Sequence, residues 1–189
     1  MLPITAYGHP TLKKKGEEIN ADYPGLKQLI EEMFETMYED NGVGLAAQQI
    51  NRTIRLFIVD ATLYAEEFPE TKDFKKVFIN AQMIAEEGDE WDFEEGCLSV
   101  PGIREYIRRK PVIHISYYDE NWDYHKNERF DGVAARIIQH EYDHTEGILF
   151  VERIPHFKKV LLKGKLKDIS TGKADVDYKM IYPRLKRKR

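Results

Sequence analysis

The segment at residues 131–147 reads DGVAARIIQHEYDHTEG, and its pattern decides the fold. Val133, Ile137, His140 and His144 recur every three or four residues, which predicts a helix with these four side chains on one face. The helix begins after an Asp-Gly pair and ends at a glycine. It contains the pattern His-Glu-x-x-His, in which two imidazoles one turn apart can bind a single metal ion. The segment therefore predicts a central helix that holds a metal.

Glu141 follows His140 and is rotated about 100° from it around the helix, so it lies beside the pair without being a ligand. This is the position of a general acid or base that acts on a metal-bound water. Two imidazoles leave a catalytic zinc-type site one protein ligand short. In one class of metalloprotease the third ligand is a histidine six residues after the second, but Phe150 occupies that position here. The third ligand is therefore expected upstream.

Cys97 is the predicted third ligand. It lies in the stretch EGCLSVPG, residues 95–102, whose glycines and proline favour an irregular turn that can present a thiolate to an ion. A lone cysteine is more often a small buried residue than a ligand. The incomplete ligand set on the helix makes the metal interpretation the stronger one.

The remaining patterns predict an α+β fold, with small, mostly antiparallel sheets packed around the central helix that carries the His-Glu-x-x-His pattern. Two further helices are expected at residues 24–40 and 156–169, and a polar surface excursion at residues 62–76. Strands are expected at residues 54–59, 77–84, 112–118, 124–130, 148–151 and 176–182. We expect a catalytic domain at residues 1–170 and a C-terminal extension with a basic tail at residues 171–189.

The composition excludes several classes of protein. The chain has 189 residues, one cysteine and a net charge of −4, so no intramolecular disulfide can form and the molecule as a whole is not a basic nucleic-acid binder. We find no signal-peptide pattern at the start and no apolar run of membrane-spanning length. The expectation is a cytoplasmic monomer without a membrane partner. Residues 184–189 are the exception in charge, since five of the six are Lys or Arg.

Three segments, GVGLAAQQ at residues 42–49, EGCLS at residues 95–99 and QHEYDH at residues 139–144, together resemble the signature motifs of peptide deformylases. The order and spacing of the set are much more specific than any one motif, and the resemblance covers roughly residues 1–165. It implies an enzyme that removes the formyl group from the N-terminal methionine of nascent polypeptides.

The resemblance also implies roles for single residues. The metal ligands are Cys97, His140 and His144, the general acid/base is Glu141, and the oxyanion donors are the side-chain amide of Gln49 and the backbone N–H of Leu98. The metal in this family is commonly Fe²⁺, which Zn²⁺, Ni²⁺ or Co²⁺ can replace. The partners are N-formyl-methionyl nascent peptides. The basic tail at residues 184–189 is either a contact to the ribosome or a solvated end that aids solubility.

Five residues are candidates for contacts with the substrate. Val43 and Ile137, with Val133 nearby, are expected to form an apolar pocket for the methionine side chain. Core packing also explains these residues, and the two roles are not exclusive. Gly44 and Arg104 are expected to contact the peptide backbone. Arg136, one turn before His140, and the long excursion at residues 62–76 depart from the family pattern and affect the expected pocket rim.

Two other functions remain open at this point. A His-Glu-x-x-His endopeptidase shares the helix but needs neither Cys97 nor Gln49. A non-catalytic zinc-binding module uses the same three ligands but usually closes its site with a fourth. The sequence offers no good fourth ligand, and Glu141 would have no role in such a module.

Overall fold

The computed structural model describes residues 1–183, which form three α-helices and nine strands. The strands are β1 (Ile4–Thr5), β2 (Gly44–Ala46), β3 (Leu56–Asp60), β4 (Lys75–Glu87), β5 (Trp91–Gly96), β6 (Arg104–Arg109), β7 (Val112–Tyr118), β8 (Tyr124–Asp131) and β9 (Met180–Ile181). The helices are α1 (Leu26–Glu39), α2 (Gly132–Thr145) and α3 (His156–Ser170). The basic tail at residues 184–189 lies outside the described residues.

A five-stranded antiparallel sheet, in the order β2-β3-β4-β7-β8, forms the centre of the molecule. Every residue of β3 is buried, because both faces of this sheet are covered. Side chains alternate between the faces of a strand. Leu56 and Ile58 pack on the side of α1, whereas Phe57 and Val59 pack on the side of α2. The central sheet is therefore sandwiched between α1 and α2.

Helix α2 is buried on nearly all sides, with only Gly132 and Tyr142 outside the buried set. Its apolar residues pack on β2 and β3, and the helix follows β8 directly. Gly147, which ends the helix, has a φ of +75°, and a β-carbon there would lie 2.7 Å from the carbonyl oxygen of Lys13. Both the left-handed backbone and the close approach require glycine. Residues 132–145 thus form a buried helix, and Gly147 ends it.

The helix predicted at residues 24–40 begins later than the sequence pattern indicated. Gly25 adopts a left-handed conformation with φ 70° and is the N-cap of α1, and no side chain caps the helix. A left-handed residue cannot continue a right-handed helix towards residue 24. The helix ends at Glu39, followed by Asn41 with a positive φ of 52°.

The structure differs from the expected elements at three further places. The segment at residues 148–151 is not a strand, since Phe150–Glu152 forms a short 3₁₀ helix. The excursion at residues 62–76 contains the 3₁₀ helices Thr62–Tyr64 and Pro69–Thr71, and β4 begins within it. The antiparallel pair of β5 and β6 was not predicted. Charged residues dominate that hairpin: Trp91 and Phe93 alternate with acidic residues over only four positions, and Arg104–Arg109 shows no apolar alternation.

The C-terminal segment returns to the domain after α3. Strand β9 pairs in parallel with β1, with Ile4 opposite Met180 and Thr5 opposite Ile181. The part of the expected extension that the structure describes therefore packs on the same body as residues 1–170. Within residues 1–183, no helix combines the length and the hydropathy needed to cross a membrane.

Candidate active site

Cys97, His140 and His144 each offer one potential ligand atom, and these three atoms all lie within 4.8 Å of one another. The Sγ atom of Cys97 is 3.4 Å from Nε2 of His144. Helix α2 supplies both imidazoles, and the turn after β5 supplies the sulfur. In the part of the chain that the structure describes, no other group of His, Cys, Asp or Glu side chains is close enough to hold an ion. The fold thus brings the three predicted ligands together.

Glu95 fixes the orientation of His140. Its Oε2 atom lies 2.8 Å from Nδ1 of His140, which leaves Nε2 as the nitrogen available to an ion. Arg109 donates to both carboxylate oxygens of Glu95, at 2.7 and 3.0 Å, and Arg136 donates to Oε1 at 3.2 Å. Burial alone would raise the pKa of Glu95, but hydrogen bonds from His140 and Arg109 hold it well below its usual range. Glu95 is therefore an ionised acceptor, and Nδ1 of His140 carries the proton.

Asp143, inside the His-Glu-x-x-His pattern, extends this buried ionic network. It accepts a hydrogen bond from Nη1 of Arg109 at 2.7 Å and pairs through both oxygens with the guanidinium of Arg153. Arg109 thus bridges a carboxylate on β5 to one on α2 while its own side chain is 3% exposed. The network fixes the ligand-bearing helix to the hairpin that leads to Cys97.

The sequence patterns did not single out Glu95, Arg109 or Asp143. A signal for Glu95 was present, because alternate residues of a strand share a face and Glu95 lies two residues before Cys97. Reading residues 91–96 as a strand would have placed the carboxylate on the same side as the sulfur. The partners of Asp143 lie 34 and 10 residues away along the chain, and no local pattern pairs them.

Glu141 is 4% exposed and lies beside the ligand cluster. Its Oε2 atom has no hydrogen-bond partner within residues 1–183. Burial raises the pKa of Glu141 to about 7, and a cation bound nearby would act in the opposite direction. A buried carboxyl group free of partners, with a pKa near neutrality, can both accept and return a proton.

Gly44 lies directly against Glu141. A β-carbon at Gly44 would be 2.5 Å from Oε1 and 2.7 Å from Cγ of Glu141, closer than real β-carbons approach. Gly44 is predicted from the sequence to contact the peptide backbone. In the structure it lines the cavity and also provides the space in which Glu141 is held.

Gln49 and Leu98 both line the cavity that contains Cys97 and His140. Gln49 is 2% exposed, and its Oε1 atom accepts a hydrogen bond from the Ala46 N–H at 2.8 Å. This orients Nε2 towards Cys97, whose Sγ atom is 3.4 Å away. The backbone N–H of Leu98 donates to no protein acceptor among the residues described. Two N–H donors are thus available beside the candidate metal site.

A cavity of ≈ 690 Å³ opens next to these groups. Val43, Gly44, Arg104 and Ile137 line it, as expected for residues that contact a substrate. Val133 does not line it, because one turn earlier on α2 it is fully buried in the core between the helix and the central sheet. The apolar wall beside the cluster is therefore smaller than predicted.

Two aromatic side chains complete the apolar side of the cavity. Tyr64, from the excursion at residues 62–76, and Phe93, from β5, pack edge to face with ring centroids 6.2 Å apart. Neither was predicted, because an aromatic residue in a surface loop or a charged hairpin carries no local sign of its partner. The excursion therefore contributes directly to the wall of the cavity.

Arg136 also lines the cavity, but its guanidinium group is hydrogen-bonded to other residues of the protein. It donates to Glu95 and to the carbonyl oxygens of Ile107 and Trp91, and it lies 4.8 Å from the Trp91 ring centroid. With its side chain 1% exposed, Arg136 stabilises the hairpin and the ionic network.

The family model described as polypeptide deformylase matches residues 1–160. The chain belongs to the peptide deformylase family. The peptide deformylase of Christiangramia forsetii is 52% identical over 196 residues, covering 100% of each chain. That of Flavobacterium psychrophilum is 53% identical over 187 residues, covering 95% of this chain and 96% of its own. Peptide deformylases are metal-dependent enzymes, and the Cys97 cluster is a candidate for the metal site.

Solved peptide deformylase structures have the same fold. The structure from Thermus thermophilus aligns with a TM-score of 0.80 at 35% identity, over 92% of this chain and 100% of that one. The structure from Plasmodium falciparum aligns with a TM-score of 0.79 at 34% identity, over 89% of this chain and 95% of that one. The predicted combination of helices with mostly antiparallel sheets is therefore confirmed, as is the family resemblance.

Proposed function

We propose that this protein hydrolyses the N-formyl group of formyl-methionyl nascent polypeptides and releases formate. The observation that carries the proposal is the buried, unpaired Glu141 carboxyl group beside the Cys97, His140 and His144 cluster at the wall of a cavity. Family membership over the full chain supports the same activity.

We propose that Cys97, His140 and His144 hold one divalent metal ion, Fe²⁺ in the cell, which Zn²⁺, Ni²⁺ or Co²⁺ can replace. One thiolate and two imidazoles form a donor set suited to these ions. The Glu95 hydrogen bond to Nδ1 of His140 is the partner commonly found behind a metal-bound histidine. When bound, such an ion supplies Lewis acidity and lowers the pKa of a coordinated water.

Glu141 is the proposed proton carrier. As a carboxylate it accepts the proton of the attacking water, and as an acid it returns that proton to the amine nitrogen when the C–N bond of the formamide breaks. The products are formate and a peptide with a free amino group. The burial of Glu141 and the absence of a partner for its Oε2 atom among residues 1–183 support this role, because the carboxyl group stays free to exchange a proton.

Gln49 and Leu98 are the proposed donors to the formyl oxygen, which gains negative charge as the attacked carbon becomes tetrahedral. Nε2 of Gln49 and the N–H of Leu98 would shorten their hydrogen bonds as this charge develops. The buried Ala46 hydrogen bond keeps the Gln49 amide oriented before substrate arrives.

The substrate would lie in the cavity with its methionine side chain against Val43 and Ile137. We propose Tyr64 and Phe93 as further apolar contacts, and Arg104 and Gly44 as contacts to the peptide backbone. Arg104 is well placed for this, because its side chain is 69% exposed and its nearest carboxylate, Glu94, is 3.7 Å away.

Gly44→Ala tests the arrangement around Glu141. Because the added methyl group would overlap the carboxylate, we expect Glu141 to shift and kcat/KM for a formyl-methionyl peptide to fall about 100-fold. Gly164→Ala is the matched control, since a β-carbon at Gly164 on α3 meets no atom within 4 Å. Wild-type activity in the Gly44 variant would show that the glycine is not needed for the position of Glu141.

A formate-release assay tests the proposed function directly. Wild-type protein purified without oxygen should release formate from formyl-Met-Ala-Ser and leave internal peptide bonds intact, with about one equivalent of iron per chain. Internal cleavage without formate would support a His-Glu-x-x-His endopeptidase instead. Metal binding with neither reaction would support a non-catalytic zinc module, which the geometry disfavours because Glu141 faces the cluster.

We further propose that the protein is a cytoplasmic monomer that meets its substrates at the ribosome, with residues 184–189 contributing to that contact. These residues lie outside the described structure, so the proposal rests on the five positive charges among them.

Deleting residues 184–189 should leave turnover of a short formyl-methionyl peptide unchanged and weaken cosedimentation with ribosomes. The loss should be largest at low salt, because cation-phosphate attraction is screened as ionic strength rises. Equal ribosome binding by full-length and shortened protein across a salt series would support the solubility role of the tail.

A further inference from the structure

Tyr178 connects the C-terminal segment to the turn that carries Cys97. Its hydroxyl donates a hydrogen bond of 2.7 Å to the carbonyl oxygen of Leu98, a residue 80 positions earlier in the chain. The segment at residues 175–178 also lines the cavity beside Cys97. It lies beyond residues 1–160, to which the family model applies. A part of the chain outside the family pattern thus touches the candidate active site.

The backbone around Tyr178 is fixed by its pairing with the N-terminal strand. The N–H of Ile4 donates to the Lys179 carbonyl at 2.8 Å, and the N–H of Ala6 donates to the Ile181 carbonyl at 2.9 Å. The Tyr178 ring is partly buried against the core cluster that contains α1. The backbone on the C-terminal side of Tyr178 is thus held by two hydrogen bonds, and its ring is packed. The position of the hydroxyl at the end of this ring is therefore restricted.

The turn that receives this hydrogen bond is held at three successive carbonyl groups. The Val100 N–H donates to Cys97 at 2.9 Å and closes the turn, and the Tyr7 N–H donates to Ser99 at 2.8 Å. Tyr178 supplies the partner for Leu98, the carbonyl between them. The central peptide of a four-residue turn is the one that rotates between turn types, and it belongs to Leu98 and Ser99 here. Tyr178 therefore restrains the softest peptide of the turn.

The hydroxyl of Tyr178 remains a donor in the physiological pH range. Burial, and then the nearby Cys97 side chain, raise the pKa of Tyr178 above its ordinary value. A protonated phenol has one O–H to donate, and the Leu98 carbonyl receives it.

We infer that Tyr178 is a positioning residue for deformylation, which acts by holding the Leu98 carbonyl so that the Leu98 N–H keeps its direction towards the formyl oxygen. The inference rests on the proposed function. The Leu98 N–H belongs to the Cys97–Leu98 peptide, whose carbonyl accepts from Val100, and the Leu98 carbonyl belongs to the next peptide, which Tyr178 holds. A rotation of this second peptide would change the turn type and with it the direction of the Leu98 N–H, so the two hydrogen bonds fix that direction together. The hydrogen bond from the Leu98 N–H to the formyl oxygen stabilises charge that develops only during the reaction. Misdirecting this N–H should therefore affect turnover more than substrate binding.

Tyr178→Phe tests this inference, because it removes the hydroxyl and keeps the ring. We expect kcat for formyl-Met-Ala-Ser to fall about tenfold while KM stays within about twofold, a smaller loss than removal of an oxyanion donor itself. Metal content and competitive inhibition by the deformylated product Met-Ala-Ser should be unchanged, since the product carries no formyl oxygen. Tyr124→Phe, on β8 with its side chain largely exposed, is the matched control.

Three results would overturn the inference: a kcat within twofold of wild type, a fall in kcat matched by a loss of metal, or a rise in KM with kcat unchanged. An unchanged kcat would show that the Tyr178 hydrogen bond does not affect turnover. Loss of metal would indicate a role of this hydrogen bond in metal retention, and a raised KM would indicate a role in substrate binding. The activity of the wild-type enzyme shows whether the inference alone or the proposed function has failed. If wild type releases no formate, the function and the inference fail together, whereas an active wild type with an equally active variant rejects the inference alone.

Discussion

Glu141→Gln is expected to lower kcat for formate release by about 10³-fold and to leave the metal content unchanged. Glutamine keeps the size of the side chain but cannot accept the proton of the attacking water or return it to the amine, and loss of such a group typically costs 10²–10⁴ in rate, roughly. The metal should stay bound because the ligand cluster consists of Cys97, His140 and His144. KM should change little, since the carboxyl group acts in the chemical step.

The measurement is formate release under anaerobic conditions, with metal content determined on the same samples. Glu35→Gln is the control, since Glu35 is exposed on α1 and does not line the cavity. Formate release near the wild-type rate from the Glu141 variant would exclude the proposed role. Loss of the metal together with the activity would instead indicate that Glu141 supports the ligands.

The ligand-bearing helix could be predicted because its information is local. Helical spacing places residues three and four apart on one face, so the pairing of His140 with His144 follows from the sequence alone. The helix in the structure, Gly132–Thr145, agrees with that pattern to within a residue or two. Cys97 could be predicted as a ligand only indirectly, because the helix lacks a third ligand and because residues 95–99 resemble a family motif.

The surroundings of the site could not be predicted, because their contacts are distant in sequence and carry no periodic signal. Glu95 reaches His140 across 45 residues, and Tyr178 reaches Leu98 across 80. Each pairing depends on the register of the β5–β6 hairpin or on the return of the chain after α3. Charged residues in that hairpin read as solvated loop, although Arg109 is almost fully buried. The sequence thus indicated the three side chains that the fold brings together, but not the residues that orient them.

Arg109 is the residue of this buried network with the largest expected effect on stability. Its guanidinium donates to both oxygens of Glu95 and to Asp143, and the three side chains are 3–7% exposed. Replacing Arg109 by leucine leaves two buried carboxylates with fewer cationic partners. Removing one member of a buried ion pair typically costs about 3–5 kcal/mol, because the remaining charge is uncompensated.

Arg109→Leu is therefore expected to lower the free energy of unfolding by about 3–5 kcal/mol and the melting temperature by roughly 10 °C. Metal affinity should also fall, by about 10-fold or more, because Glu95 would no longer be held against His140. Denaturant unfolding and metal titration measure the two effects separately.

Arg108→Leu is the matched control on the same strand. Its side chain is 67% exposed and lies 3.6 Å from Asp92, so the pair is screened by water and its loss should cost at most about 1 kcal/mol. The two variants remove the same charge from adjacent positions and differ in burial. If both had the same unfolding free energy and metal affinity, the buried network would not be what holds α2 against the hairpin. A large loss confined to Arg109→Leu would assign that role to the network, since net charge changes equally in both.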